Sequence, residues 1–303
     1  MRCANTGARE TFAEVNGCRI RYLTVGAGPA IILIHGLFGY SFSWRYNLAS
    51  LAKHFTVYAL DLPGVGFSER SASPRYGLAA LAQDVLEFLK LLDIRDPILA
   101  GSSHGGGIAM MIAAAREPGM AIPKLILVSP VNPWSRQGAG RAAFFGSRMG
   151  SALLRCFAPV VPLTHLYFLK RMYGDPSRLS DESLAGYDCA LRVPGTLPHM
   201  LARVRRWNAD LELIRATLPA IAEVPTLLIW GSRDRAVPLA SAFELQKRFK
   251  HAELAVIEGA GHLPYEEMPE EFNRIAQRFL DSSGPCPTHQ AATADRSGDL
   301  LGL

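Results

Sequence analysis

Apolar positions in this chain follow two periods, and the switches between them mark out its elements. The runs TFAEV and RIRYLTV flank Asn16-Gly17. An Asn-Gly pair tolerates the two positive φ angles of a tight turn, so these runs predict an antiparallel hairpin. AIILIHG, an apolar run closed by glycine, reads as a buried strand, and a helix is expected from Trp44 to Lys53. TVYALDLPG is a further strand ending in turn residues. In YGLAALAQDVLEFLKLLDI the period changes: Leu78, Leu81, Val85, Leu89 and Leu92 fall at helical spacing. PILAGSS then reads as a strand, HGGGIAMMIAAAREP as a helix and KLILVSP as a strand. Strands alternating with helices at this spacing predict a mostly parallel sheet covered by helices on both faces.

The alternation stops after Pro130. Residues 131–219 are helical in pattern, broken by glycines and prolines. It resumes with the strand TLLIWGS, the helix PLASAFELQKRFK, the strand AELAVIEG and the helix PEEFNRIAQRFLD. The expected organisation is therefore a core of residues 11–130 and 220–281, a helical cap of 131–219 inserted over a site, and a polar, aperiodic tail of 282–303 expected to be disordered.

Composition narrows the class. At 49% hydrophobic and 19% charged the chain is globular, and no apolar run is long enough to cross a bilayer. MRCANTGARE lacks the apolar stretch of a secretory signal, and the five cysteines include no CxxC pair. Both point to a reducing cytoplasm, without a disulfide framework or a zinc site. Charge is uneven: residues 131–218 carry twelve Arg and Lys against six Asp and Glu, while the whole chain is +5. The bland reading of that excess is a solvated helical face. The sharper one is attraction of anionic substrates or peripheral contact with an anionic membrane. The basic residues are dispersed and no recognition motif occurs, which argues against nucleic acid. Among the apolar residues of the insertion, Phe144, Phe145, Leu153, Leu154, Phe157, Leu166, Phe168, Met172 and Trp207 are expected mostly in its core, with some lining an apolar pocket.

Candidate chemistry begins where the elbow of strand and helix falls. Gly101-Ser102-Ser103-His104-Gly105 fits G-x-S-x-G after a strand and before a helix, which centres the motif on Ser103. A serine nucleophile needs a base, and the base an orienting acid. Strand TLLIW runs into Gly231-Ser232-Arg233-Asp234, and strand AELAVIE into Gly259-Ala260-Gly261-His262. Both lie past the carboxyl ends of strands, where open α/β sheets place their sites. Ser103, Asp234 and His262 are thus the candidate catalytic residues. His104 is too close in sequence to turn back as the base and reads as a packing residue. His35 reads as a brace for its loop, Asp61 as structural, and His165 and His199 as ordinary histidines.

Further motifs join these: His35-Gly36-Leu37-Phe38-Gly39 with Trp44; Asp61-Leu62-Pro63-Gly64-Val65-Gly66-Phe67-Ser68; Val237-Pro238 after the acid; and Pro264 and Glu267 after Gly261-His262. On these residues the chain resembles the α/β-hydrolase superfamily over about residues 11–281. The resemblance is to its cap-bearing branch of esterases, epoxide hydrolases, haloalkane dehalogenases and meta-cleavage product hydrolases. It implies an oxyanion hole from the backbone N–H groups of Leu37 and His104, with Phe38 as second choice. Some relatives carry the acid after the next strand. Here that strand ends Val128-Ser129-Pro130, without a carboxylate, which favours Asp234. Dehalogenases and epoxide hydrolases use an aspartate at the elbow, so serine points to acyl transfer. Meta-cleavage hydrolases carry tryptophan where this chain has Leu263. The expectation is a serine hydrolase acting on small to medium apolar esters, with no metal or organic cofactor. Carbon–carbon hydrolysis, lactone opening, acyl transfer and a ligand-sensing role are the alternatives.

Overall fold

The computed structural model describes residues 7–70, 76–135 and 161–282. Strands β1 (Arg9–Val15) and β2 (Cys18–Val25) form the expected hairpin. Its turn residues Asn16 and Gly17 both hold positive φ, 51° and 70°. The sheet continues with β3 (Ala30–Ile34), β4 (Thr56–Leu60), β5 (Ile98–Ser102), β6 (Leu125–Val128), β7 (Thr226–Gly231) and β8 (Ala252–Ile257). The eight strands lie in the order β1-β2-β4-β3-β5-β6-β7-β8. β1, β2 and β4 pair antiparallel, and every pair from β4 to β8 is parallel.

Side chains alternate across a strand, so a sheet buried on both faces needs unbroken apolar runs. Ile32 and Ile34 of β3, Leu99 of β5, Leu127 of β6 and Leu228 of β7 enter one core. It is closed by α2 (Leu78–Leu91) and α3 (His104–Ala114), which contribute Val85, Phe88 and Ile108. Ile31 and Leu33, Ile98, Ile126 and Ile229 enter the other, against Trp44 and the helix Pro269–Asp281 with its Phe272 and Ile275. Lys124 Nζ donates to the carbonyl oxygens of Phe279 and Leu280 and so caps that last helix.

The helix expected from Trp44 to Lys53 is a correction. Ser41–Trp44 forms a 3-10 turn, and the α-helix is only α1 (Leu48–Leu51). Long-range partners take the side chains between. Arg45 pairs with Glu266 at 2.8 Å, and Asn47 donates to Tyr265 O and Asn273 Oδ1. Trp44, fully buried, stacks on Tyr265 at 4.3 Å.

Between β6 and β7 lie α4 (Val161–Met172), α5 (Asp181–Leu191), α6 (Thr196–Val204) and α7 (Trp207–Thr217). The Ser180 side chain accepts from Ser183 N and caps α5, with Asp181 and Glu182 in its first turn. These helices pack on the loops past the carboxyl edge of the sheet. Tyr40 donates to Gly186 O, Arg45 to Ser183, and Arg203 to Pro63 O. Phe144, Phe145, Leu153, Leu154, Phe157 and residues 283–303 of the expected tail lie outside the described residues. Phe168, expected inside, is 55% exposed. Among the described residues no helix is long and apolar enough to cross a membrane.

Candidate active site

Three sheet ends carry the candidate residues. β5 stops at Ser102, α3 starts at His104, and Ser103 makes the turn with φ 52° and ψ −116°. That conformation is strained for a residue with a side chain and persists only where the surroundings enforce it. The enforcement is visible. Ser103 N donates to Val128 O at 2.9 Å, and Ser103 O accepts from Gly106 N and Val131 N. Gly105 is needed for close approach, since a Cβ there would lie 2.3 Å from Ile34 O and 2.4 Å from His35 O. Of the two adjacent serines, Ser102 is fully buried and Ser103 half-buried.

The loop after β3 faces this turn. A Cβ placed on Gly36 would lie 3.3 Å from Ser103 Cβ and 4.0 Å from its Oγ. His35 holds the loop from beneath. Leu62 N donates to its Nε2 at 3.0 Å, so Nδ1 carries the proton and donates to Gly36 O at 2.7 Å. Burial favours the neutral ring and lowers its pKa to about 4. Leu37 follows in this loop, and Phe38 beside it is 52% exposed. His104 is fully enclosed, and burial, with the Arg203 charge adding to it, lowers its pKa to about 3. A ring that stays neutral and buried is a packing group rather than a working base.

Asp234 follows β7, and His262 follows β8. Their side chains meet, with His262 Nδ1 2.8 Å from Asp234 Oδ2. The other oxygen, Oδ1, accepts from Ala236 N and Val237 N at 2.8 and 2.9 Å. Burial alone would raise the Asp234 pKa. The His262 ring and these N–H donors outweigh it and hold the carboxyl below its ordinary range. Among the described residues no hydrogen bond within 3.5 Å joins Ser103 Oγ to His262. Asp61 lies apart, fully buried, accepting from Ser41 N, Phe67 N and Arg21. His199 sits against Gly64, with Nδ1 on Gly195 O. The side chain of His165 lies outside the described residues. Among the described residues no group of three or more His, Cys, Asp or Glu could hold a metal ion.

Of the two acids after His262, Glu267 entered the sequence reading only as part of a motif and Glu266 not at all, and both brace the segment that carries His262. Glu267 accepts from Gly261 N at 2.7 Å, and from Gly174 N and Asp175 N at 3.0 and 2.7 Å. It thereby ties the residue before His262 to the segment after α4. His262 N itself donates to Met172 O at 2.6 Å. Glu266 takes the buried Arg45 guanidinium and the hydroxyls of Tyr173 and Tyr187. A carboxylate five residues after a candidate histidine, in a pattern shared with known families, was the available signal.

Comparison with known proteins matches the alpha/beta hydrolase family over residues 31–275. An uncharacterized protein of Mycobacterium tuberculosis is 30% identical over 298 residues, covering 93% of this chain and 84% of that protein. The dihydrolipoyllysine-residue acetyltransferase component of the acetoin cleaving system of Pseudomonas putida is 31% identical over 274 residues, covering 88% of this chain and 68% of the relative. The solved structure of the epoxide hydrolase CorEH superposes with a TM-score of 0.78 at 23% identity, covering 90% of this chain and 98% of that one.

Proposed function

The chain belongs to the alpha/beta hydrolase family, and from that premise we propose that it is a serine hydrolase of carboxylic esters. The observation that carries the reading is the Asp234–His262 pair at 2.8 Å, past the carboxyl ends of β7 and β8, with the strained serine elbow past the end of β5 in the same sheet. His262 Nε2 takes the Ser103 proton as Oγ attacks the ester carbonyl. Asp234 fixes the ring with Nδ1–H toward it and stabilises the imidazolium that forms. The oxyanion is received by the backbone N–H groups of Leu37 and His104, with Phe38 N–H as second choice. Losing one such donor typically costs about 100- to 1000-fold in rate. The alcohol leaves with the proton from His262, and water repeats the sequence on the acyl-enzyme. Residues 131–219 act as the cap, and their apolar side chains make the substrate small to medium and apolar.

The test is hydrolysis of p-nitrophenyl esters of increasing acyl length by the wild type and by Ser103→Ala. Expected is turnover in the wild type and a loss of about 10³-fold or more in a variant that keeps its fold. A folded wild type inert to every ester overturns the reading. The acetyltransferase relative favours one second reading, transfer of the acyl group to an alcohol or thiol rather than to water. Added methanol or a small thiol should then raise acyl turnover while free acid falls.

A further inference from the structure

Trp134, Arg215, Leu218, Pro219 and Arg248 line a cavity of about 340 Å³. Trp134 lies after β6, where the inserted helices begin. Arg215 is in the last turn of α7, and Leu218 and Pro219 form the 3-10 turn that leads back to the sheet. Arg248 follows the helix Ala240–Gln246 of the core. The cavity therefore sits where both ends of the insertion join the sheet domain, and none of its five lining residues belongs to the candidate active site.

Its parts are fixed by hydrogen bonds that need no ligand. The side chain of Asn132, fully buried, accepts from Trp134 N at 3.0 Å and donates to Pro130 O at 3.0 Å and to Ser241 Oγ at 3.1 Å. Ser241 belongs to the helix that leads to Arg248, so one amide ties the indole to that side of the cavity. Two guanidinium groups converge on this indole. Cζ of Arg215 lies 5.5 Å and Cζ of Arg248 5.0 Å from the ring centroid. The ring attracts each cation, but the two like charges repel. Glu212 takes Arg215 at 3.2 Å, whereas Arg248 has no carboxylate within 4.0 Å among the described residues. The cluster is left with one positive charge in excess, beside the apolar surface of Leu218 and Pro219.

We propose that this cavity binds a monoanionic organic carboxylate, with the carboxylate on Arg215 and Arg248 and the apolar body against Trp134, Leu218 and Pro219. One negative charge matches the excess, and a planar carboxylate fits the guanidinium fork. A phosphate dianion would overshoot that charge, and a bare inorganic ion would leave the apolar wall wet. The volume is at the small end of ligand pockets, which suits a single ring or a short alkyl chain. The inference goes beyond the esterase reading and does not rest on it, because binding needs no turnover.

The test is isothermal titration calorimetry of the wild type, Arg248→Gln and Arg215→Gln with benzoate, hexanoate, acetate, benzamide and inorganic phosphate. Circular dichroism checks that each variant keeps its fold. Benzoate or hexanoate should bind the wild type with a Kd of about 1 mM or tighter. Acetate, which lacks the body, and benzamide, which lacks the charge, should each bind at least about tenfold more weakly. Each arginine variant should weaken the carboxylate by about tenfold or more while its ester hydrolysis stays at the wild-type level. Failure of all the carboxylates to bind overturns the proposal. So does binding that survives in both variants, which would place the anion elsewhere, as in the Ser103 site. Phosphate binding as tight as benzoate overturns the carboxylate assignment. A protein inert to esters that still binds benzoate through Arg248 would sink the esterase reading and leave this site standing.

Discussion

At Ser103 the backbone holds an uncommon conformation, fixed by hydrogen bonds to Val128 O on one side and from Gly106 N and Val131 N on the other. Asp234 is the residue whose chemistry is easiest to isolate. Its two oxygens are divided, one for the N–H groups of Ala236 and Val237 and one for His262. Asp234→Asn can keep the first set but presents an N–H where Nδ1–H needs an acceptor, which favours the wrong tautomer. Ester hydrolysis should fall by about 10³- to 10⁴-fold with the melting temperature little changed, measured by steady-state kinetics and circular dichroism. His35 tests burial instead. Its pKa is lowered from 6.5 to about 4, so the unfolded chain takes the proton first as pH falls. Between those values the unfolded state binds more protons, so stability is full above about pH 6.5 and is lost on the way down to about pH 4. The burial of His104 acts in the same direction. The melting temperature should drop across this window, and His35→Asn should start lower but fall less steeply. Equal slopes would remove His35 from that account.

At the level of elements, the contact between β3 and the start of α3 sets the elbow. Gly105→Ala would push a methyl group against the carbonyl oxygens of Ile34 and His35, both under 2.5 Å from the new atom. Backbone cannot yield as a flexible side chain would, so the helix must move away from the strand. Expected are a lower melting temperature and a loss of esterase activity larger than the stability change accounts for. Unchanged kinetics would show that the elbow tolerates the shift. This element was legible in the sequence because every signal for it is local: an apolar strand, G-x-S-x-G, then a helix. The hairpin at Asn16-Gly17 was legible for the same reason, as was α2 from its leucine spacing. The stretch from Trp44 to Lys53 was not. Its helical pattern is overridden by Arg45 and Asn47, whose partners lie more than 200 residues away. Asp234 and His262 could be picked out from strand ends and chain order. The support from Glu266 and Glu267 depends on which distant groups arrive beside them, and no periodicity encodes that.

Across the whole molecule, the inserted helices and the sheet meet at the candidate base. His262 N donates to Met172 O, and Glu267 gathers N–H groups from Gly261 on one side and from Gly174 and Asp175 on the other. Arg45 and Glu266, buried together, bring in Ser183 and Tyr187 of α5. The insertion is thus fastened to the loop that orients the ring, and the two should not unfold independently. Heat should produce a single transition in which loss of ester hydrolysis and loss of helical signal coincide. Arg45→Met would leave Glu266 buried without its counter-ion, a change that costs about 3–5 kcal/mol. Both signals should shift down together, and Arg45→Met with Glu266→Gln should recover part of the loss, because the stranded charge is gone. If activity instead disappears well before the helical signal in the single variant, the insertion melts on its own. The orientation of His262 would then be held by the sheet loops alone.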